Sequence, residues 1–138
     1  MTETAQAPTR ALVIHPLPPG ADDSRADARL EEASGLAIAL GLEAVDAIIE
    51  PVRKLEAGTY FGKGKLETLH ERMQALEVQA VIIDTALSPV QQRNLEKRWQ
   101  VKVIDRTGLI LEIFGERART REGRLQVELA RLTYERSR

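Results

Sequence analysis

Gly62-Lys63-Gly64-Lys65 is the stretch whose residue types most directly indicate binding chemistry. Two glycines placed two residues apart favour a turn with positive φ, and the apolar spacing that follows predicts a helix. The free N–H groups of a first helical turn and the two ammonium groups would suit a phosphate. The stretch is not a Walker A loop, because Leu66 stands where Ser or Thr would bind magnesium. A turn that needs glycine only for steric reasons is the competing interpretation.

A second set of candidates is basic or carries amides, which suits contact with RNA. Arginine donates paired hydrogen bonds to phosphate and stacks on unpaired bases, so an arginine cluster beside a helix favours structured RNA. Gln92 and Arg93 open a predicted helix, where such groups can contact a nucleic-acid backbone or bases. A solvated polar surface is the alternative for both groups, since few aromatic residues are available for stacking. The arginine cluster comprises Arg117, Arg119, Arg121 and Arg124.

Three further polar residues, His15, Asp84 and Asp105, each end a predicted strand. Ligands bind at that edge of an open parallel sheet, but an aspartate there is also well placed to accept N–H bonds from the next element. We favour the second interpretation for both aspartates. His15 and His70 are too far apart in sequence to give the spacing of a metal site or a triad, so no metal is expected. The absence of cysteine excludes disulfides and thiol catalysis.

The elements that must position these residues alternate between strands and helices. Short apolar runs predict four main strands, and apolar residues at helical spacing predict the helices between them. Ser88 to Gln91 has the pattern of a capping box, Gly41 is placed to end the first helix, and Pro16 is expected to end the first strand. Right-handed crossovers then give an α/β fold, a small open parallel sheet with helices on its faces. The predicted strands cover residues 11–15, 44–49, 80–84 and 101–105, and the predicted helices 24–40, 66–76 and 88–99.

The chain divides into three parts by composition. Residues 1–9 are small and polar and are expected to be a disordered leader, and residues 10–106 form the α/β subdomain. Residues 107–138 begin a helical hairpin, and the net charge is −4 over residues 1–105 but +3 beyond them. No apolar run approaches the ~20 residues of a membrane span, so a cytosolic protein without membrane contact is expected. Nothing downstream covers the apolar seam of Leu125, Leu129 and Leu132, so the hairpin is expected to be truncated and the seam either to fray or to pair with another copy.

Four runs taken together resemble the N-terminal region of the HflX family of ribosome-associated GTPases. They are residues 60–67, 87–96, 103–114 and 117–130, and their order and spacing also match. The resemblance implies an α/β subdomain, a two-helix coiled-coil subdomain and then a GTPase domain that hydrolyses GTP with magnesium. It also implies binding to the large ribosomal subunit, with splitting or rescue of stalled ribosomes under stress.

No Walker A loop occurs in the 138 residues, so the GTPase domain is expected to be absent and the chain itself to lack catalytic activity and a cofactor. The leading expectation is a ribosome-binding and regulatory region whose partners are ribosomal RNA and its own GTPase domain. An ATP-linked activity attributed to this region in some family members leaves an autonomous nucleotide-binding domain as an alternative. A regulatory scaffold for the following GTPase domain is the third possibility.

Overall fold

Residues 7–119 are the part of the chain that the structure, a computed structural model, describes. Within them strands and helices alternate. In chain order the elements are β1 (Arg10–Leu17), α1 (Ala26–Ala39), β2 (Glu43–Pro51), α2 (Lys63–Ala75), β3 (Ala80–Ile83), α3 (Pro89–Trp99), β4 (Lys102–Asp105) and α4 (Arg106–Arg119). None of the helices in this described part is long and apolar enough to cross a membrane.

The four strands form one sheet in the order β2-β1-β3-β4, and every neighbouring pair is parallel. From β1 the chain moves outward to β2, and from β3 it moves outward to β4 on the other side. The strand order therefore reverses between β1 and β3. The carboxyl ends of these two strands flank the position where open α/β sheets bind ligands. The predicted α/β class and the parallel sheet of four strands are confirmed.

Helices cover both faces of the sheet. On one face, α2 and α3 pack around Phe61 and Trp99, and the Trp99 indole N–H donates to the Leu66 carbonyl at 3.1 Å. On the other face, α1 contributes small residues such as Ala37, and α4 contributes Leu109. All four residues of β3 are buried, which explains why that strand is an unbroken apolar run.

Two predicted helix ends are confirmed. Ser88 Oγ accepts a hydrogen bond from the Gln91 amide at 3.0 Å, and the Gln91 side chain accepts one from the Ser88 amide at 2.9 Å, which completes the capping box. Gly41 lies just beyond α1 with a φ of +86°, and the Leu42 amide donates to the Ala37 carbonyl at 3.1 Å. This is the glycine-terminated helix end in which a left-handed residue lets the chain satisfy the last carbonyls.

β1 is longer than predicted, because it continues through Pro16 to Leu17. The Ile14 carbonyl accepts a hydrogen bond from the Asp84 amide at 2.8 Å, so Ile14 directs its backbone groups towards β3. Pro16, two residues later, turns its nitrogen to the same side, where β3 has already ended at Ile83. The proline is tolerated because no ladder hydrogen bond is lost there. The prediction that Pro16 ends the strand is wrong for this reason.

Candidate functional sites

The glycine-lysine turn forms the start of α2 at the carboxyl edge of the sheet. Gly62 is the N-cap residue in an extended conformation, with φ −72° and ψ 166°, and no side chain caps the helix. The first intrahelical bond runs from the Leu66 amide to the Gly62 carbonyl at 2.9 Å, so the amides of Lys63, Gly64 and Lys65 have no acceptor within the helix. Positive φ is found at neither glycine, so the prediction that they supply a positive-φ turn is wrong.

Tyr60 makes the turn instead, with a φ of 67°. Its backbone exchanges two hydrogen bonds with Glu56, at 2.9 and 3.1 Å, which hold the left-handed conformation in place. Burial raises the pKa of the Tyr60 hydroxyl above its ordinary value of 10.0, while a hydrogen bond from Thr85 and the charge of Arg106 act in the opposite direction. Tyr60 therefore connects the turn before α2 with the region that follows β3 and β4.

The space in front of the glycine turn is open. A Cβ atom built at Gly62 or Gly64 would meet no atom within 4 Å, so packing inside the protein does not require glycine at either position. Both glycines line a cavity of about 490 Å³. The rest of its lining comprises Pro51, Val52, Arg53, Lys54, Glu56 and Lys65. The structure therefore does not support the interpretation that glycine is needed at these two positions only for steric reasons.

The lysines of the turn differ in their surroundings. Lys65 forms an ion pair with Glu50, so its charge is already neutralised at the surface. Lys63 is exposed and has no acidic partner among residues 7–119. Arg53 and Lys54 add two further exposed cations at the cavity. The cavity therefore presents free amides and unneutralised positive charge, an arrangement suited to an anionic ligand.

The amides at the start of α3 are used inside the fold. Gln92 donates to the Val103 carbonyl at 2.9 Å, and Asn94 donates to the Gly58 carbonyl at 2.9 Å. Gln91 donates to the Glu56 carbonyl at 3.2 Å in addition to its role in the capping box. These side chains fix β4 and the loop before α2 against the helix. The structure therefore gives Gln92, predicted as a contact for RNA, a structural partner.

The outward side of α3 is basic. Arg93, Lys97 and Arg98 are exposed, and none of them has a carboxylate partner within the described residues. The nearby Glu96 forms no ion pair with them, and its carboxylate accepts a hydrogen bond from the Val103 amide at 3.1 Å. We call Arg93, Lys97 and Arg98 the α3 basic face.

The predicted arginine cluster lies mostly beyond what the structure describes. Arg117 is exposed near the end of α4. Arg119 is the last residue of α4, and its side chain lies outside the described part. Arg121 and Arg124 lie outside the described residues altogether, as do Leu125, Leu129 and Leu132 of the predicted apolar seam.

The structure brings together His15 and Asp84, which we treated separately in the sequence. His15 Nδ1 lies 2.9 Å from Asp84 Oδ2, and both side chains are largely buried. Arg106 donates through Nε to Asp84 Oδ1 at 3.0 Å and through a terminal nitrogen to the Asp84 carbonyl at 2.7 Å. Arg29 of α1 lies 3.8 Å from Asp84 Oδ2. The sequence indicates that His15 and Asp84 both end strands. Their contact could not be inferred from this alone, because it requires β1 and β3 to be neighbours in the sheet.

The two aspartates at this edge have different roles. Asp105 Oδ1 accepts a hydrogen bond from the Gly108 amide at 2.9 Å, and Oδ2 accepts one from the Leu87 amide at 3.0 Å. Asp105 thus caps α4, as expected. The same expectation is wrong for Asp84, whose carboxylate is occupied by His15 and two arginines. Within the described part of the chain, no group of three or more acidic or histidine side chains is arranged to hold a metal ion.

The chain matches the family model described as "GTP-binding GTPase N-terminal" over residues 27–115. It is 46% identical over 138 residues to the GTPase HflX of Magnetococcus marinus, with 100% of this chain and 32% of that protein covered. It is 48% identical over 106 residues to the GTPase HflX of Escherichia coli (strain K12), with coverage of 76% and 25%. The chain thus spans about a third or less of the length of these two relatives.

Solved structures show the same fold. A mutation variant of the protein SsGBP has a TM-score of 0.65 and 26% identity, over 92% of this chain and 39% of that one. A GTP-binding protein from the hyperthermophilic archaeon Sulfolobus solfataricus in complex with GDP has a TM-score of 0.58 and 24% identity, over 92% and 37% of the two chains. The family match and the curated relatives show that the chain belongs to the GTP-binding GTPase N-terminal family, as the N-terminal region of an HflX-type GTPase.

Proposed function

We propose that this chain is the ribosome-binding and regulatory region of an HflX-type GTPase that acts on the large ribosomal subunit in the cytoplasm. Splitting or rescue of stalled ribosomes under stress is the process in which it takes part. Hydrolysis of GTP with magnesium belongs to a GTPase domain outside this chain, and the chain itself contributes binding rather than catalysis. Family membership supports the GTPase context, and the surface charge supports the RNA partner.

The observation that supports RNA as the partner is the α3 basic face. Three exposed cations without carboxylate partners in the described structure can contact phosphates, whereas a paired cation would first lose its partner. Lys97 and Arg98 lie in the last turn of α3, where the helix dipole alone favours positive charge. Arg93 lies in the first half of the helix, where the dipole gives no such advantage. Arg117, Arg119, Arg121 and Arg124 are a second candidate surface for the same partner.

Co-sedimentation with purified large ribosomal subunits over a range of salt concentrations tests this proposal. Replacing Arg93, Lys97 and Arg98 together by glutamine is expected to weaken binding. It should also reduce the slope of log affinity against log salt by roughly 2 to 3, for about three lost phosphate contacts. A second variant replaces Arg117, Arg119 and Arg121 by glutamine. A control of equal charge change replaces Arg25, Arg72 and Lys102, which belong neither to the α3 basic face nor to the lining of the cavity at the glycine turn. Equal binding by all four proteins would refute the proposal.

A nucleotide is the second candidate ligand, and the open cavity at the glycine turn favours it. A phosphate group could bind to the three free amides and to the exposed Lys63. Packing inside the protein does not require Gly62 and Gly64, so an approach of the phosphate to the backbone would explain why both are glycine. On this proposal the region is an autonomous nucleotide-binding domain that uses Gly62 to Lys65. The ion pair between Lys65 and Glu50 weakens it, because one of the two predicted ammonium groups is already neutralised.

Calorimetric titration with ATP and with GTP tests the second candidate. Gly64→Val places a side chain in the open space of the cavity, where a Cβ atom meets nothing within 4 Å, so binding is expected to be lost while the fold is kept. Gly35→Val on α1 is the matched control, because a Cβ atom there also meets nothing within 4 Å. Saturable binding that Gly64→Val removes and Gly35→Val keeps supports a nucleotide site. No binding by the unmodified chain removes the candidate.

A regulatory scaffold for the GTPase domain is the third function in question. It is separated from ribosome targeting by measuring GTP turnover without ribosomes, in a longer protein that carries this region and in one that lacks it. A change in turnover supports regulation within the molecule. Equal turnover, with ribosome binding lost only in the shorter protein, supports targeting alone.

A further inference from the structure

We propose that Asp84 and Arg106 form a joint that fixes the direction in which α4 leaves the sheet, with Tyr60 linking this joint to the turn before α2. The Asp84 joint, as we call it, comprises His15, Arg29, Tyr60, Asp84 and Arg106. It is a conformational device independent of the ribosomal or nucleotide partner, because it rests only on contacts within the chain.

Asp84 connects four elements. It follows β3, its carboxylate contacts His15 from β1 at 2.9 Å, and Arg29 from α1 lies 3.8 Å away. Arg106, the first residue of α4, binds both the carboxylate and the carbonyl of Asp84, at 3.0 and 2.7 Å. The Asp84 side chain is only 9% exposed, so these bonds form largely out of water, where charged hydrogen bonds are strong. The carboxylate is thus shared between the body of the sheet and the helix that leaves it.

α4 also packs on the sheet and on α1 through Leu109, which is 1% exposed. The side of the helix that carries Ile110 and Phe114 is open, since these two residues are 47% and 52% exposed. The bonds of Arg106 to Asp84 add a polar attachment at the first turn, where the helix leaves the sheet. Gly108 belongs to that turn, and a Cβ atom there would approach Asp105 Oδ1 to 3.3 Å, so the backbone lies close against its cap. Attachments at the first turn act at the point where the helix leaves the sheet, so we expect them to influence its direction most directly.

Tyr60 adds the link to the neighbouring loop. A bulky residue with a φ of 67° persists only where its surroundings hold it, and such residues cluster at functional and switch regions. Its hydroxyl has Thr85 as a hydrogen-bond partner, and the charge of Arg106 acts on it. The Arg106 amide in turn donates to the Thr85 carbonyl at 3.2 Å. The loop that leads to Gly62 and the start of α4 therefore share Thr85 and Arg106, so a change at one is felt at the other.

Distance measurements between spin labels test the joint in the full chain. The chain has no cysteine, so Glu67→Cys on α2 and Phe114→Cys on α4 give two unique exposed sites on opposite faces of the sheet. Arg106→Gln is expected to broaden the distribution of label distances or shift it by several ångströms, and Tyr60→Phe to change it in the same sense. Arg72→Gln, which breaks the comparable ion pair with Asp46 at 2.6 Å, is the control and should leave it unchanged.

The single tryptophan reports separately on the body of the sheet. Trp99 is buried between α2 and α3, away from α4, so an unchanged emission spectrum shows that an altered distance distribution is not unfolding. Arg106→Lys keeps a cation but replaces the planar fork, which reaches Asp84 through two separate nitrogens, by a single ammonium group, and it should give an intermediate result. A distribution in Arg106→Gln that matches the unmodified chain would overturn the joint, and a match in Tyr60→Phe would remove Tyr60 from it.

Discussion

The Glu96 carboxylate accepts a hydrogen bond from the backbone amide of Val103 at 3.1 Å. Val103 lies in β4, the edge strand, and its carbonyl accepts a hydrogen bond from Gln92 at 2.9 Å. Both backbone groups of Val103 are thus satisfied by side chains of α3. An open strand edge can pair with another chain, and covering it is a recognised protection against aggregation. One side of helix α3 therefore stabilises the fold by covering β4, and its basic side remains exposed for binding a partner.

Removing this cover should promote association. Gln92→Met with Glu96→Met keeps side-chain volume but leaves the Val103 backbone unpaired, so light scattering should show concentration-dependent growth in mass. Glu67→Met with Gln74→Met on the exposed side of α2 is the control, because it adds the same apolar groups away from an edge. Equal behaviour of the two double variants would mean that apolar surface, and not the strand edge, causes the association.

The capping box of α3 should contribute measurably to stability. Ser88→Ala removes the acceptor for the Gln91 amide and is expected to lower the free energy of unfolding by about 1 kcal/mol. Urea unfolding followed by Trp99 fluorescence measures the change. Ser34→Ala is the comparison, since its hydroxyl only returns a bond to the Leu30 carbonyl within α1 and its loss should have little effect. A similar effect of the two substitutions would show that the box has no special role.

Glycines 64 and 41 should respond in opposite directions to alanine. Gly64 lies inside the first turn of α2 with ordinary φ and open space, so Gly64→Ala is expected to stabilise the protein by about 0.5 kcal/mol. Gly41 has a φ of +86°, so Gly41→Ala is expected to destabilise it by about 1 kcal/mol. Thermal unfolding distinguishes the two. A destabilising Gly64→Ala would mean that the turn needs glycine for its own folding after all.

Tyr60 should make stability sensitive to alkaline pH. Its pKa is raised in the folded protein, so the folded state favours the neutral hydroxyl. The stability this provides is fully present below the ordinary value of 10.0 and is lost as the pH rises through the folded pKa. Unfolding midpoints between pH 8 and about 11 should therefore fall more steeply for the unmodified chain than for Tyr60→Phe. Parallel curves for the unmodified and Tyr60→Phe proteins would contradict the prediction.

Most elements of the fold could be predicted from local sequence patterns. The capping box at Ser88, the glycine after α1 and the apolar run of β3 act through neighbouring residues, so the sequence alone located them. The contact between His15 and Asp84 joins residues 69 positions apart and depends on which strands are neighbours, which no local pattern records. The left-handed turn at Tyr60 was missed for a different reason. Two backbone hydrogen bonds with Glu56 hold it against the preference of a bulky residue, and residue types favour a positive φ at the adjacent glycines instead.

The central position of β1 has a consequence for folding during synthesis. β1 pairs on one side with β2, which follows it closely, and on the other with β3, which is made some 70 residues later. During synthesis from the N-terminus, one edge of β1 must therefore wait unpaired while α2 is completed. Pairing over such sequence distances is slow, and the waiting edge is apolar. Folding on the ribosome is consequently expected to stay incomplete until Ile83 has left the exit tunnel, and nascent chains arrested before that residue should remain sensitive to protease.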